Sequence, residues 1–122
     1  MEPIPSPETG ARAGEQLAAV TNGIVRLFRQ YYGRGPTRAK SYLMDGRIIM
    51  CVLEDTMTKV ERTLADTGHG AKVREVRLVF QEAMADEFKQ TVAGCMGRKV
   101  VAYHSQLTLD PDIGFEFFVL ED

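Results

Sequence analysis

The chain has 122 residues, a length that suits one domain with a single core. Apolar residues make up 44% and charged residues 26% of it, as in soluble globular proteins rather than disordered ones. The formal net charge of −2 argues against a protein that coats nucleic acid. Neither a membrane-spanning apolar run nor the apolar segment of a signal peptide is present. We therefore expect a cytoplasmic protein whose two cysteines are reduced.

Charge is distributed unevenly along the chain. Residues 12–47 contain seven basic and two acidic residues, whereas residues 82–122 contain eight acidic and three basic ones. This division predicts a polarised surface, two faces that pair across a dimer, or simply two solvated faces of opposite sign.

The N-terminal third predicts a tail and then a helix. Residues 1–10 are rich in proline and without periodicity, so we expect a disordered tail, followed by a single domain over residues 11–122. Apolar residues then recur every three or four positions up to Tyr31, which indicates one face of a helix. Gly33, Gly35 and Pro36 end that helix.

A hairpin is predicted next. Asp45-Gly46 lies between two apolar runs, which is a strong hairpin signal. A two-residue loop pairs Leu43 with Ile48 and places Tyr42 on the same face as Ile49, Cys51 and Leu53. Both faces of the hairpin are then apolar, whereas a small antiparallel sheet normally leaves one face in water.

The second half predicts two helices and another hairpin. Residues 58–61 have the pattern of a capping box, which opens a short helix ending near Asp66. A long helix covers residues 71–93 with Gly94 as its C-terminal cap. Two strands follow, at residues 99–109 and 113–120.

These elements predict an α+β fold in the order αββααββ. Two hairpins form a four-stranded antiparallel sheet, and the two long helices pack on one face of it. The other face keeps an apolar patch too large for a solvated monomer. We expect a homodimer to cover that patch, although a ligand pocket or a different protein partner would also explain it.

The candidate ligand-binding residues follow the first helix. The glycines let a ligand approach the backbone, and nearby cations suit a phosphate, a carboxylate or an acidic partner. A helix stop followed by a solvated strand entry is the alternative. His104 is either a structural histidine or a ligand-binding or pH-sensing one. The candidate set is Gly33, Arg34, Gly35, Arg38, Lys40 and His104. No catalytic set, metal site or cofactor is indicated.

The overall pattern resembles the MpsC-like family of small bacterial proteins. The matching motifs are Gly33-x-Gly35-Pro36, Tyr42-Leu43-x-Asp45-Gly46, the segment 57–61, Arg77 and the segment 99–105. They span about residues 15–120. Gln106 stands where members often carry an acidic residue. The family name refers to a sodium-translocating, membrane-potential-generating system associated with inorganic-carbon uptake, so the resemblance implies at most a soluble accessory subunit or regulator.

Together these observations predict a non-enzymatic accessory or regulatory protein. It would dimerise and bind a partner, in particular a membrane ion or inorganic-carbon transport protein at the inner face of the membrane. The alternative is a sensor domain that binds a small anion or a nucleotide. Aromatic residues on the sheet would suit RNA bases, but the net negative charge makes nucleic acid an unexpected partner.

Overall fold

The computed structural model describes residues 7–122 of the chain. Its helices and strands follow the predicted order αββααββ. They are α1 (Pro7–Tyr32), β1 (Arg38–Met44), β2 (Ile48–Glu54), α2 (Lys59–Asp66), α3 (Gly70–Met96), β3 (Val100–Thr108) and β4 (Ile113–Leu120). The α+β prediction is therefore confirmed.

The four strands form one antiparallel sheet in the order β1-β2-β4-β3. The second strands of the two hairpins are thus neighbours at the centre of the sheet. Helices α1 and α3 pack against each other and against the sheet. The core between them contains Val20, Ile24, Phe28, Ile49, Cys51, Leu53, Phe88, Val92, Phe118 and Leu120.

The two faces of the sheet are covered differently. Inward side chains of β2 and β4 are buried, and the alternating outward ones are only partly buried. We call the second set the outer sheet face. It comprises Arg38, Lys40, Tyr42 and Met44 of β1, Ile48, Met50, Val52 and Glu54 of β2, Ala102, His104, Gln106 and Thr108 of β3, and Ile113, Phe115, Phe117 and Val119 of β4. The predicted apolar patch opposite the helices is present.

The predicted register of the first hairpin is wrong by one residue. Leu43 pairs with Ile49 rather than with Ile48. Asp45 and Gly46 both have positive φ, and the Arg47 amide donates to the Met44 carbonyl at 3.1 Å. Arg47 is then an extra residue whose carbonyl accepts from the Leu120 amide at 2.8 Å. A one-residue slip exchanges the faces.

The consequence of this slip is that Tyr42 lies on the outer sheet face. Leu43, rather than Tyr42, shares the inner face with Ile49, Cys51 and Leu53. Tyr42 keeps 42% of its surface exposed, so the edge strand contributes an aromatic side chain to the uncovered side of the sheet.

Helix boundaries differ from the prediction at two places. Helix α1 begins at Pro7, since proline is tolerated in a first turn, where the amide has no helical partner. The remainder of the predicted tail, residues 1–6, lies outside the described residues. Helix α3 runs past Gly94 to Met96, and Gly97, with φ of 66°, is the cap. Burial of Met96 outweighs the cost of a glycine within the helix, about 1 kcal/mol.

Candidate functional site

A buried ion pair joins the two C-terminal helices of the helical layer. Arg77 of α3 donates from Nε to Glu61 Oε2 at 2.6 Å and from Nη2 to Glu61 Oε1 at 2.7 Å. Its Nη2 also donates to the Thr56 carbonyl at 3.0 Å. The guanidinium carbon lies 4.0 Å from the ring centroid of Tyr32, a cation–π geometry. Hydrogen bonds through Nε and Nη2 and the ring of Tyr32 thus hold the Arg77 side chain in place.

Glu61 has two roles in the same place. It completes the predicted capping box, because Oε1 accepts from the Thr58 amide at 2.9 Å and the Thr58 hydroxyl accepts from the Glu61 amide at 3.2 Å. Burial alone raises the pKa of Glu61, but the hydrogen bonds from Arg77 and Thr58 outweigh it and hold that pKa below its ordinary value. Glu61 is therefore a partnered carboxylate.

A cavity of about 300 Å³ lies beside this ion pair, between the helices and the β3–β4 hairpin. Its walls combine aromatic rings with a few polar side chains. The residues that matter below are Phe28, Tyr32, Arg74, Phe80, Tyr103 and Glu116. The rings of Tyr32 and Phe80 are 4.9 Å apart between centroids, so one wall is a continuous aromatic surface.

Glu116 places a carboxyl group in this cavity. It lies on β4 with the inward parity of Phe118 and is only 2% exposed. The Tyr103 hydroxyl donates to Oε1 at 3.1 Å, whereas within residues 7–122 no hydrogen-bond partner reaches Oε2. Burial raises the pKa of Glu116 to about 7, against the opposing effect of the hydroxyls of Ser105 and Tyr103 and the charge of Arg77. Burial likewise raises the pKa of Tyr103.

A second polar cluster fixes the loop between β2 and α2. Asp112, whose side chain is 5% exposed, accepts from the Thr56 hydroxyl at 3.0 Å, from the Met57 amide at 2.8 Å and from Arg62 at 3.2 Å. Its partners hold the β3–β4 turn against the start of α2. Thr56 also lines the edge of the cavity, and the bonds of Asp112 to Thr56, Met57 and Arg62 give the cluster a structural role.

The six sequence-predicted ligand residues do not meet at one point. Gly33, with φ of 77°, and Gly35 follow α1. Arg34 donates to Asp55 at 2.9 Å and to the Met57 carbonyl at 2.6 Å. Arg38, on the outer sheet face, contacts Glu54 at 3.4 Å and keeps 80% of its side chain exposed.

The other two predicted residues lie on opposite edges of the sheet. Lys40 of β1 is 5.2 Å above the ring of Tyr42, and His104 lies on β3. Because β2 and β4 separate those strands, the edges are about 14 Å apart at roughly 4.8 Å per strand. Ligand binding by any of the six stays a prediction, and a single anion site that includes both edges has no geometric support.

Comparison with protein families decides the relationship suggested by the motifs. The family model described as "Na+-translocating membrane potential-generating system (MpsC)" matches residues 13–122. The chain belongs to the MpsC family. Comparisons with curated proteins and with solved structures gave no match. Within residues 7–122, no helix of this MpsC-family chain has the length and apolar character needed to cross a membrane.

Of the predicted ligand residues, His104 lines the cavity of this MpsC-family chain, but sequence reasoning missed the carboxyl group inside it. The capping box predicts Glu61 as a cap, without its arginine, and Glu116 is not among the predicted site residues. One signal for Glu116 was present: it has the same parity as Phe118 and Leu120, both of which are buried. A carboxylate on the apolar face of a strand is uncommon. Such a carboxylate needs either a hydrogen-bond partner supplied by the fold or a functional role.

Proposed function

We propose that this protein is a non-enzymatic accessory protein of a membrane ion or inorganic-carbon transport system, and that it works as a homodimer joined through the outer sheet face. The observation that carries the proposal is the uncovered apolar centre of that face. Six partly buried side chains of the two central strands form it: Ile48, Met50, Val52, Phe115, Phe117 and Val119. Exposed apolar patches of this kind mark interaction surfaces.

The arrangement of charge on the outer sheet face favours a second copy as the occupant. The apolar residues lie on the central strands β2 and β4, and polar side chains such as Lys40 and Gln106 lie on the edge strands. An apolar centre with a polar rim is the anatomy of a protein interface. The centre carries no charge that would repel its own copy, so a two-fold axis through it brings apolar surface onto apolar surface.

The link to a transport system comes from the family description. The matched family carries the description "Na+-translocating membrane potential-generating system (MpsC)", and ion movement across a bilayer needs a spanning structure. Together with the absence of a spanning helix among the described residues, this supports the role of an accessory protein that meets a membrane-embedded partner from the cytoplasmic side.

Light scattering after size exclusion tests the dimer. We expect the mass of two chains for the wild type and of one chain for Phe117→Lys or Met50→Lys, which place a charge at the centre of the outer sheet face. Val79→Lys is the matched control, because Val79 is 60% exposed on α3 and faces away from the sheet. A wild type of one-chain mass contradicts the dimer, as does a Val79→Lys variant that alone becomes monomeric.

The accessory role needs a separate measurement. Tagged wild-type protein is purified from gently solubilised membranes of its own source, beside the Val79→Lys and Phe117→Lys variants. We expect one ion or inorganic-carbon transport protein to co-purify with the wild type and with Val79→Lys. When that transport protein carries the tag instead, the present protein should co-purify with it. Recovery of the chain with no such membrane protein would contradict the accessory role and leave the dimer measurement intact.

A further inference from the structure

The cavity beside α3 contains a buried oxygen atom that the fold leaves without a partner. Glu116 is 2% exposed, and no hydrogen bond to its Oε2 forms within residues 7–122, although Tyr103 satisfies Oε1 and the Ser105 hydroxyl lies close enough to lower the pKa of Glu116. Buried polar atoms without a hydrogen bond are rare in native proteins, because the lost hydration is not replaced. Glu116 lines the cavity while Oε2 itself is almost fully buried, so a rotation of the carboxyl group toward the cavity would let Oε2 accept from a bound molecule.

The cavity walls restrict the shape of that molecule. Phe28, Tyr32 and Phe80 form an apolar wall of inclined rings, with 32° between the planes of Phe28 and Tyr32 and 52° between those of Tyr32 and Phe80. The volume, about 300 Å³, is at the lower end of small-molecule sites. A planar ring packs against such walls, whereas a sugar or a triphosphate would leave its polar groups unpaired against them.

The two arginines of the cavity differ in what they offer. Arg77 is held by Glu61 and the Thr56 carbonyl, which accept from its Nε and Nη2. Arg74, one turn earlier on α3, lines the cavity and is exposed. A ligand that ends in a carboxylate would meet a cation at Arg74, at the side of the cavity open to solvent, with its other end toward Glu116.

We propose that this cavity binds a small aromatic acid that carries an N–H or O–H donor. The donor bonds to Oε2 of Glu116, the ring packs against the inclined rings of Tyr32 and Phe80, and the carboxylate lies near Arg74. The site is on the helix side of the sheet, opposite the outer sheet face, so it does not depend on the proposed dimer.

The groups around Glu116 predict how binding varies with pH. Those facing it are Tyr103 and Ser105 of β3, Arg77 of α3 with its partner Glu61 of α2, and Tyr32 of α1. Burial raises the pKa of Tyr32 to about 12 and also raises the pKa of Tyr103. Against the effect of burial, the hydrogen bonds from Arg77 and Thr58 lower the pKa of Glu61. Among these facing groups, Glu116, with a pKa of about 7, is the one that changes charge between pH 6 and 8. A donor binds the ionised carboxylate more strongly than the neutral acid.

Amide chemical shifts of the full chain test the proposal with three donor probes: 4-aminobenzoate, 4-hydroxybenzoate and indole-3-carboxylate. The matched probes without the donor are 4-methylbenzoate and 1-methylindole-3-carboxylate. We expect saturable shifts at residues 103–107 and 114–116 with at least one donor probe, and at least tenfold weaker binding of its matched probe. Affinity should rise about tenfold from pH 6 to pH 8, as the ionised fraction of a group with pKa near 7 does.

Variants separate a bond to Glu116 from general attraction to the cavity. Glu116→Gln keeps the size of the side chain and should remove the pH dependence and weaken donor probes about tenfold, with little effect on the methylated ones. Glu121→Gln, which changes an exposed carboxylate, is the control and should behave as the wild type. The proposal is overturned if none of the three donor probes gives saturable shifts at these amides, which would mean that the cavity holds solvent only. Equal binding of donor and methylated probes would overturn it too.

Discussion

Glu61 and Glu116 are both removed from water, yet the fold treats them in opposite ways. Glu61 receives two hydrogen bonds from Arg77 and one from the Thr58 amide, whereas Glu116 receives one from Tyr103 and keeps Oε2 unpartnered. The pKa of Glu61 is lowered and that of Glu116 is raised to about 7. Burial alone does not decide the charge of a carboxyl group; the donors that the tertiary structure brings to it do.

The largest expected effect comes from removing the partner of Glu61. Arg77→Met leaves a carboxylate that is 13% exposed without its cation. Since the pair is only partly buried, we expect a loss of about 3 kcal/mol of unfolding free energy, the lower end of the range for a broken buried pair. Urea denaturation followed by circular dichroism measures the loss. The double variant Arg77→Met with Glu61→Gln should recover part of it, because no unpaired charge remains.

The control for this comparison is a neighbouring arginine on the same helix. Arg74→Met changes an exposed side chain and should alter stability by no more than about 0.5 kcal/mol. A loss as large as that of Arg77→Met would show that α3 needs positive charge in general rather than the specific bond to Glu61.

The second effect has the opposite sign. Because the folded-state pKa of Glu116 lies above the ordinary 4.5, the folded protein binds more protons than the unfolded one between those values. The stability that Glu116 contributes to the folded state is fully present below pH 4.5 and is lost as the pH rises through about 7. Glu116→Gln removes this penalty, so the variant should be about 3 kcal/mol more stable than the wild type at pH 8.

Denaturation at pH 4 and pH 8 checks this prediction within one pair of proteins. At pH 4 the wild-type carboxyl is neutral in both states, and the two proteins should differ little. A Glu116→Gln variant that is less stable than the wild type at pH 8 would mean that the ionised carboxylate is already well stabilised, and the contrast with Glu61 would then fail.

The smallest effect concerns the cap that positions Glu61. Thr58→Ala removes the hydroxyl that accepts from the Glu61 amide and should cost about 1 kcal/mol, as N-cap substitutions do. Thr63→Ala is the control, since the Thr63 hydroxyl only donates to the Lys59 carbonyl of its own helix. Thermal unfolding of both variants measures the difference. Equal midpoint temperatures for Thr58→Ala and Thr63→Ala would show that the capping hydrogen bond adds no stability of its own.

Local patterns predicted the elements well and their junctions less well. The capping box at Thr58, the two hairpins and the uncovered sheet face all follow from spacing and turn chemistry, which act over a few residues. The predicted register of the first hairpin was wrong because an additional hydrogen bond, from the Leu120 amide to the Arg47 carbonyl, holds Arg47 outside the strand pairing. That bond joins residues 73 positions apart, so no local signal contains it.

The candidate site shows the same limit more strongly. The predicted loop residues are cations near glycines, but Arg34 is used by Asp55 and the Met57 carbonyl, a pairing visible only after the loops meet. The cavity is lined by residues of α1, α3, β3 and β4. The alternation of β4 was enough to identify the Glu116 carboxyl group as unusual. Its raised pKa and the missing partner of Oε2 could not be predicted from the sequence.

By itself the sequence determined that this is an α+β domain of order αββααββ with one apolar sheet face left over, because hydrophobic periodicity and turn residues are local properties of the chain. Only the tertiary structure decided that Glu61 meets Arg77 and that Glu116 meets a cavity. Desolvation and ion pairing depend on which distant segments come together, and the packing of α2, α3 and the β3–β4 hairpin sets that for each carboxylate separately.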